Sequence, residues 1–147
     1  MEENQGVTSP GLYVIKNGGW NVNGGIWTGQ GVTFYFEDTS KIQFNSGISA
    51  DLRAPTSGPF TNMLFIEKPG LSKSDFIFNS AVSNRMEGLI WLPSRNVTFN
   101  ANSKVSSDKV NMVINRLTLN NTTWTLNPMS GGAAQSSGTL TKIRLIK

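Results

Sequence analysis

Five tetrapeptides with one shared pattern, an apolar residue, any residue, an apolar residue and then asparagine, constrain this chain more than any other feature. They are Trp20-Asn21-Val22-Asn23, Ile42-Gln43-Phe44-Asn45, Phe76-Ile77-Phe78-Asn79, Val97-Thr98-Phe99-Asn100 and Leu117-Thr118-Leu119-Asn120. The closing asparagine returns at 23, 45, 79, 100 and 120, in steps of 22, 34, 21 and 20 residues. Such a period marks units that bury their apolar edges only by stacking on one another. A second series precedes the first: Leu12-Tyr13-Val14, Phe34-Tyr35-Phe36, Leu64-Phe65-Ile66, Ile90-Trp91-Leu92 and Met112-Val113-Ile114, in steps of 22, 30, 26 and 22. Every unit thus carries two strands in the same order, with room for a third such as 48–53. The pattern predicts an all-β fold, a right-handed parallel β-helix (solenoid) of about five coils spaced at roughly 4.8 Å. The hand follows from the preferred crossover between parallel strands.

The 147 residues make one domain, long enough to bury a continuous core. Fifteen glycines and the scarcity of helix-forming runs fit a turn-rich chain with very little helix. Cysteine and histidine are both absent. This excludes disulfides, thiol catalysis and thiolate metal sites, and removes the commonest general base and zinc ligand. The net charge of +4 is spread along the chain, without the basic stripe and interleaved aromatics of a nucleic-acid face, so no nucleic-acid partner is expected. No apolar run reaches the roughly 20 residues of a membrane span, and Met1-Glu2-Glu3-Asn4-Gln5 does not read as a signal peptide.

In chain order, residues 1–10 read as a disordered lead or amino-terminal cap, 11–128 as the coils, and 129–147 as a flexible loop followed by a docking strand. That strand, with Leu140, Ile143, Leu145 and Ile146, is expected to cover part of an outward-facing row of aromatic residues on the stack. The expected interior comprises Val32, Phe34, Phe36, Phe44, Leu64, Ile66, Phe76, Phe78, Ile90, Leu92, Phe99, Leu117 and Leu119. Two prolines and a glycine in Ala54-Pro55-Thr56-Ser57-Gly58-Pro59-Phe60 predict a rigid loop outside the sheet, and Lys68 to Lys73 an insertion between strands.

Gly31-Val32-Thr33-Phe34-Tyr35, Leu52-Arg53-Ala54-Pro55-Thr56-Ser57-Gly58-Pro59-Phe60, Leu89-Ile90-Trp91-Leu92-Pro93 and Ile143-Arg144-Leu145-Ile146 together resemble the carboxy-terminal domain of Tad-like Flp pilus-assembly proteins. The resemblance runs from about residue 11 onward, and its most specific part is the Ala-Pro-Thr-Ser-Gly-Pro loop. It implies an extracellular or envelope module that normally follows a membrane segment. It carries no catalytic residues and no cofactor. The chain is accordingly expected to be a soluble fragment of an exported protein, meeting the membrane only through a segment it does not contain.

Three sets of residues are candidate sites. Asn23, Asn45, Asn79, Asn100 and Asn120 are expected to stack as a structural ladder at one corner. Tyr13, Tyr35, Phe65 and Trp91, each central to its strand, are expected to point outward as an aromatic row able to meet sugar rings or an apolar partner. Glu37 and Glu67 follow those strands at matching positions, and stacking would bring their carboxylates to about 5 Å. Paired acids are the one catalytic constellation here, suited to a polysaccharide lyase or glycoside hydrolase. No metal site is expected, since too few oxygen ligands converge. The sequence thus reads as a non-enzymatic structural or adhesive module of a pilus or the bacterial cell envelope, with envelope or pilus proteins and surface glycans as partners. A carbohydrate-binding or polysaccharide-cleaving β-helix is the alternative.

Overall fold

The computed structural model describes residues 5–45, 47–79, 83–100, 104–107 and 109–126. Thirteen strands follow one another: β1 (Gln5–Thr8), β2 (Gly11–Ile15), β3 (Gly19–Val22), β4 (Gly25–Gln30), β5 (Val32–Phe36), β6 (Lys41–Phe44), β7 (Ile48–Arg53), β8 (Met63–Glu67), β9 (Ser74–Phe78), β10 (Ser83–Phe99), β11 (Lys104–Ser107), β12 (Val110–Leu119) and β13 (Thr123–Leu126). Every pairing between them is parallel. No helix occurs among the described residues.

The strands fall on three faces, so the fold is a parallel β-solenoid of about five turns with three strands per coil. Face A stacks β1, β4, β7, residues 83–87 of β10, β11 and β13. Face B stacks β2, β5, β8, residues 89–92 and residues 110–114. Face C stacks β3, β6, β9, residues 95–99 and residues 116–119. The long β10 bends round two corners, the first at Gly88, whose φ is +134°. A Cβ there would lie 2.6 Å from the Ala54 Cβ, so the corner takes only glycine without a shift.

The interior is built from inward-facing residues of all three faces. Val32, Phe34, Phe36, Phe44, Leu64, Phe76, Phe78, Ile90, Leu92 and Phe99 are buried as expected, joined by Trp27, Ile42, Ile48, Leu52 and Met86. Aromatic rings run through the stack at face C, with Phe44 and Phe78 at 4.7 Å and Phe78 and Phe99 at 4.4 Å between centroids, both stacked. Two expectations fail here. Ile66 is only half-buried and faces outward, because β8 bulges at Leu64 and gives the inward place to Phe65. Leu117 and Leu119 lie in register with Val97 and Phe99 but are 43% and 48% exposed, since they line the last described coil.

The loop at 54–62 and the insertion at 68–73 emerge where expected, between β7 and β8 and between β8 and β9. Of the expected lead, residues 5–8 form β1, whose partner is β4. The loop and docking strand assigned to 129–147 lie outside the described residues.

Candidate functional site

The corner between faces B and C holds the most elaborate polar cluster in the described structure. Arg95, wholly buried, places all five of its N–H donors. Nε donates to Glu67 Oε2 at 3.0 Å, Nη1 to Thr39 O and Ser74 Oγ at 2.8 Å, and Nη2 to Asp38 O and Ser40 O at 2.8 and 2.9 Å. The guanidinium also lies 5.5 Å from the Phe36 ring centroid. Glu67, 2% exposed, accepts in addition from Ser94 N at 2.6 Å and Ser94 Oγ at 2.8 Å. One arginine thus joins the corners of the second, third and fourth coils.

Asp38 carries the connection to the first coil. Its Oδ2 accepts from Asn17 N at 2.9 Å and its Oδ1 from Ser40 N at 2.7 Å, while Ser40 Oγ accepts from Gly18 N at 2.8 Å. The hydrogen bond from Asn17, followed by those from Ser40, lowers the Asp38 carboxyl from 3.8 to about 2. Because the folded value is the lower one, its contribution is present above about pH 4 and lost as pH falls through about 2. The stability gap between the wild type and Asp38→Asn is therefore expected to close as denaturation midpoints are followed from about pH 5 down to about pH 2. An unchanged gap would mean that the carboxylate does not hold the two corners together.

This geometry corrects the expected acid pair. Glu67 is in register with Phe36, and Lys68 N donates to Phe36 O at 2.9 Å, which aligns Glu37 with Lys68. Glu67 points into the corner, whereas the Glu37 side chain is 43% exposed and pairs with Lys16 at 3.3 Å. A one-residue offset sends neighbouring side chains to opposite faces, so the two carboxylates do not form a pair. Among the described residues no group of three or more acids, histidines or cysteines stands together to hold a metal.

The asparagine ladder forms in two runs. Asn45 donates through its amide to Asn23 at 2.5 Å, Asn100 to Asn79 at 3.0 Å and Asn120 to Asn100 at 2.8 Å. Between Asn45 and Asn79, the long step of the repeat, Asn79 N donates to Phe44 O at 3.0 Å. Asp75, Asn96 and Asn115 make a second, exposed ladder that the repeat pattern did not reveal.

The outward row also changes membership. Tyr13 is in register with Phe34, their rings stacked at 5.5 Å, and Phe65 is fully buried against Phe34, so both belong to the inward row. Outward on face B stand Val14, Tyr35, Ile66, Trp91 and Val113, one from each coil and each in register with the next. Val14 and Val113 are exposed and the three between them half-buried. Tyr35 and Trp91 therefore keep the place expected of them.

The outer surface of face A is charged instead. Asp51 lies opposite Arg85 and Arg53 opposite Glu87, while Arg53 pairs with Asp51 at 2.9 Å and Arg85 with Glu87 at 2.8 Å along their strands. Unlike charges meet in both directions, which favours this register over a slipped one.

These features define a parallel β-solenoid with a buried ionic corner and one apolar flank. No family model matches the chain, and no curated protein or solved structure matches it.

Proposed function

We propose that the protein is a non-enzymatic structural or adhesive module of the bacterial cell envelope or a pilus, docking through the outer surface of face B. The observation that carries this reading is the row Val14, Tyr35, Ile66, Trp91 and Val113, which crosses five coils, roughly 19 Å of sheet at the usual strand spacing. A row of apolar side chains, one from each coil, suits a partner surface. The engagement of Glu67 by Arg95 and Ser94 supports a non-catalytic role, since that carboxylate has neither the freedom nor the second acid needed for glycoside cleavage. The envelope assignment rests on the resemblance carried by the Ala-Pro-Thr-Ser-Gly-Pro loop and its flanking strands. An extracellular or envelope location, with pilus or envelope proteins and surface glycans as partners, belongs to the same proposal.

Co-sedimentation with isolated bacterial envelopes and sheared pili tests it. The wild-type domain is expected to pellet with them, and a Tyr35→Glu, Trp91→Glu double variant with an unchanged melting curve to remain in the supernatant. Equal behaviour of the two proteins would sink the docking role. Release of reducing ends from acidic polysaccharides by the wild type would overturn the non-enzymatic assignment.

A further inference from the structure

A concave surface lies on the opposite side of Thr33 from the apolar row, along the outer corner where face A passes into face B. The loop at 54–62 overhangs it and is braced at both ends. Asn62 N donates to Pro55 O at 2.7 Å, Leu89 N to Asn62 O at 2.6 Å, and Thr33 Oγ1 to Met63 O at 2.7 Å. With two prolines limiting its φ angles, the loop is a preformed wall.

On one side of this wall is a hollow of about 410 Å³ lined mainly by Pro10, Leu12, Pro55, Pro59 and Phe60. On the other is a hollow of about 340 Å³ lined by Gln30, Arg53, Asn62, Glu87 and Lys109. Gly31 and Thr56 line both, so the two adjoin as one groove whose halves differ in their side chains, with prolines and Phe60 in the apolar half and amide and charged groups in the polar half. Each is of the size that holds a small ligand.

We propose that this groove binds an acidic oligosaccharide, with the Lys109 ammonium receiving a sugar carboxylate. The apolar half offers Phe60 and the proline rings to the C–H face of a pyranose. The polar half offers the carboxamides of Gln30 and Asn62 and the carboxylate of Glu87, a mixture of donors and acceptors suited to vicinal hydroxyls. Charge selects the acid. Arg53 and Glu87 belong to the balanced face A network, whereas Lys109 takes part in none of the ion pairs among the described residues. Its backbone is fixed by the bond from Gly88 N to Lys109 O at 2.7 Å, beside the polar half of the groove.

The site is separate from the apolar row, so its failure would leave the envelope-docking reading untouched. Calorimetric titration of the full chain with trigalacturonic acid is expected to show binding that weakens with salt, and the uncharged methyl ester to bind at least about tenfold less tightly. Lys109→Glu and the groove-filling Thr56→Trp are each expected to weaken binding of the acid at least about tenfold, and Lys109→Arg to retain it. Lys41→Glu, on face C, makes the same charge change and is expected to leave affinity within about threefold. Melting curves establish that each variant is folded. Absence of binding at millimolar trigalacturonic acid, equal affinity for acid and ester, or equal effects of Lys109→Glu and Lys41→Glu would overturn the proposal.

Discussion

Replacing Arg95 with alanine is expected to lower the folding free energy by about 3 to 5 kcal/mol, read as a fall in the urea midpoint. The arginine is wholly buried, and its removal strands three kinds of partner. Glu67 keeps its bonds from Ser94 but loses its counter-charge, the carbonyls of Asp38, Thr39 and Ser40 lose their donor, and Ser74 loses an acceptor role. Unpaired buried charge and unpaired carbonyls both add to the loss. An Arg95→Met, Glu67→Leu double variant should recover only part of it, since the apolar pair removes the stranded carboxylate yet leaves the carbonyls unsatisfied. A loss below about 1 kcal/mol for Arg95→Ala would show that water or a rearranged turn can replace the guanidinium.

Phe99→Ala is expected to cost a similar 3 to 5 kcal/mol, about the usual range for emptying a buried aromatic site. Phe99 is 1% exposed, stacks on Phe78, and receives the edge of Trp124 at 4.6 Å and 82°. The cavity would lie within the fourth coil, between the third and the fifth, where strands on either side are held apart by their own backbone bonds and cannot collapse into it. Leu119→Ala supplies the internal comparison. Leu119 is the next residue in the same row but lies half open to solvent, so its truncation should cost well under half as much. Equal losses would mean that the end of the stack is as closed as its middle.

The coils were legible in the sequence because the asparagine-ended strands alternate cleanly. In Ile42-Gln43-Phe44 and Val97-Thr98-Phe99 the middle residue is polar, which fixes the inward face, and the burial agrees. The preceding strands are different. Leu12-Tyr13-Val14-Ile15 and Met63-Leu64-Phe65-Ile66 are apolar throughout, so alternation cannot say which side chain turns inward. Centring the strands aligns Tyr13 with Tyr35, although its partner is Phe34, and the bulge in β8 displaces Phe65 and Glu67 together. The same offset dissolved the apparent acid pair. Arg95 is illegible for another reason: Pro93-Ser94-Arg95 has the composition of an exposed turn, and a lone arginine announces burial only when the carbonyls it serves, at Asp38, Thr39 and Ser40, are known to be two coils below.

The strand β1 gives the stack a thread with an offset start. Its chain enters on face A, yet the described coils end on face A as well, at β13. If a second copy were set on the last coil with like faces aligned, its β1 would fall at the level already filled by β13. Lifting that copy by one level avoids the collision but leaves faces B and C each a strand short, and turning it to fit breaks the line from Asn120 to the next Asn23. The polarity of the amide ladder, in which Asn45, Asn100 and Asn120 each donate to the coil before, would otherwise invite such a continuation. Among the described residues, one four-residue strand therefore makes the two ends of the stack poor mates for each other when like faces are aligned.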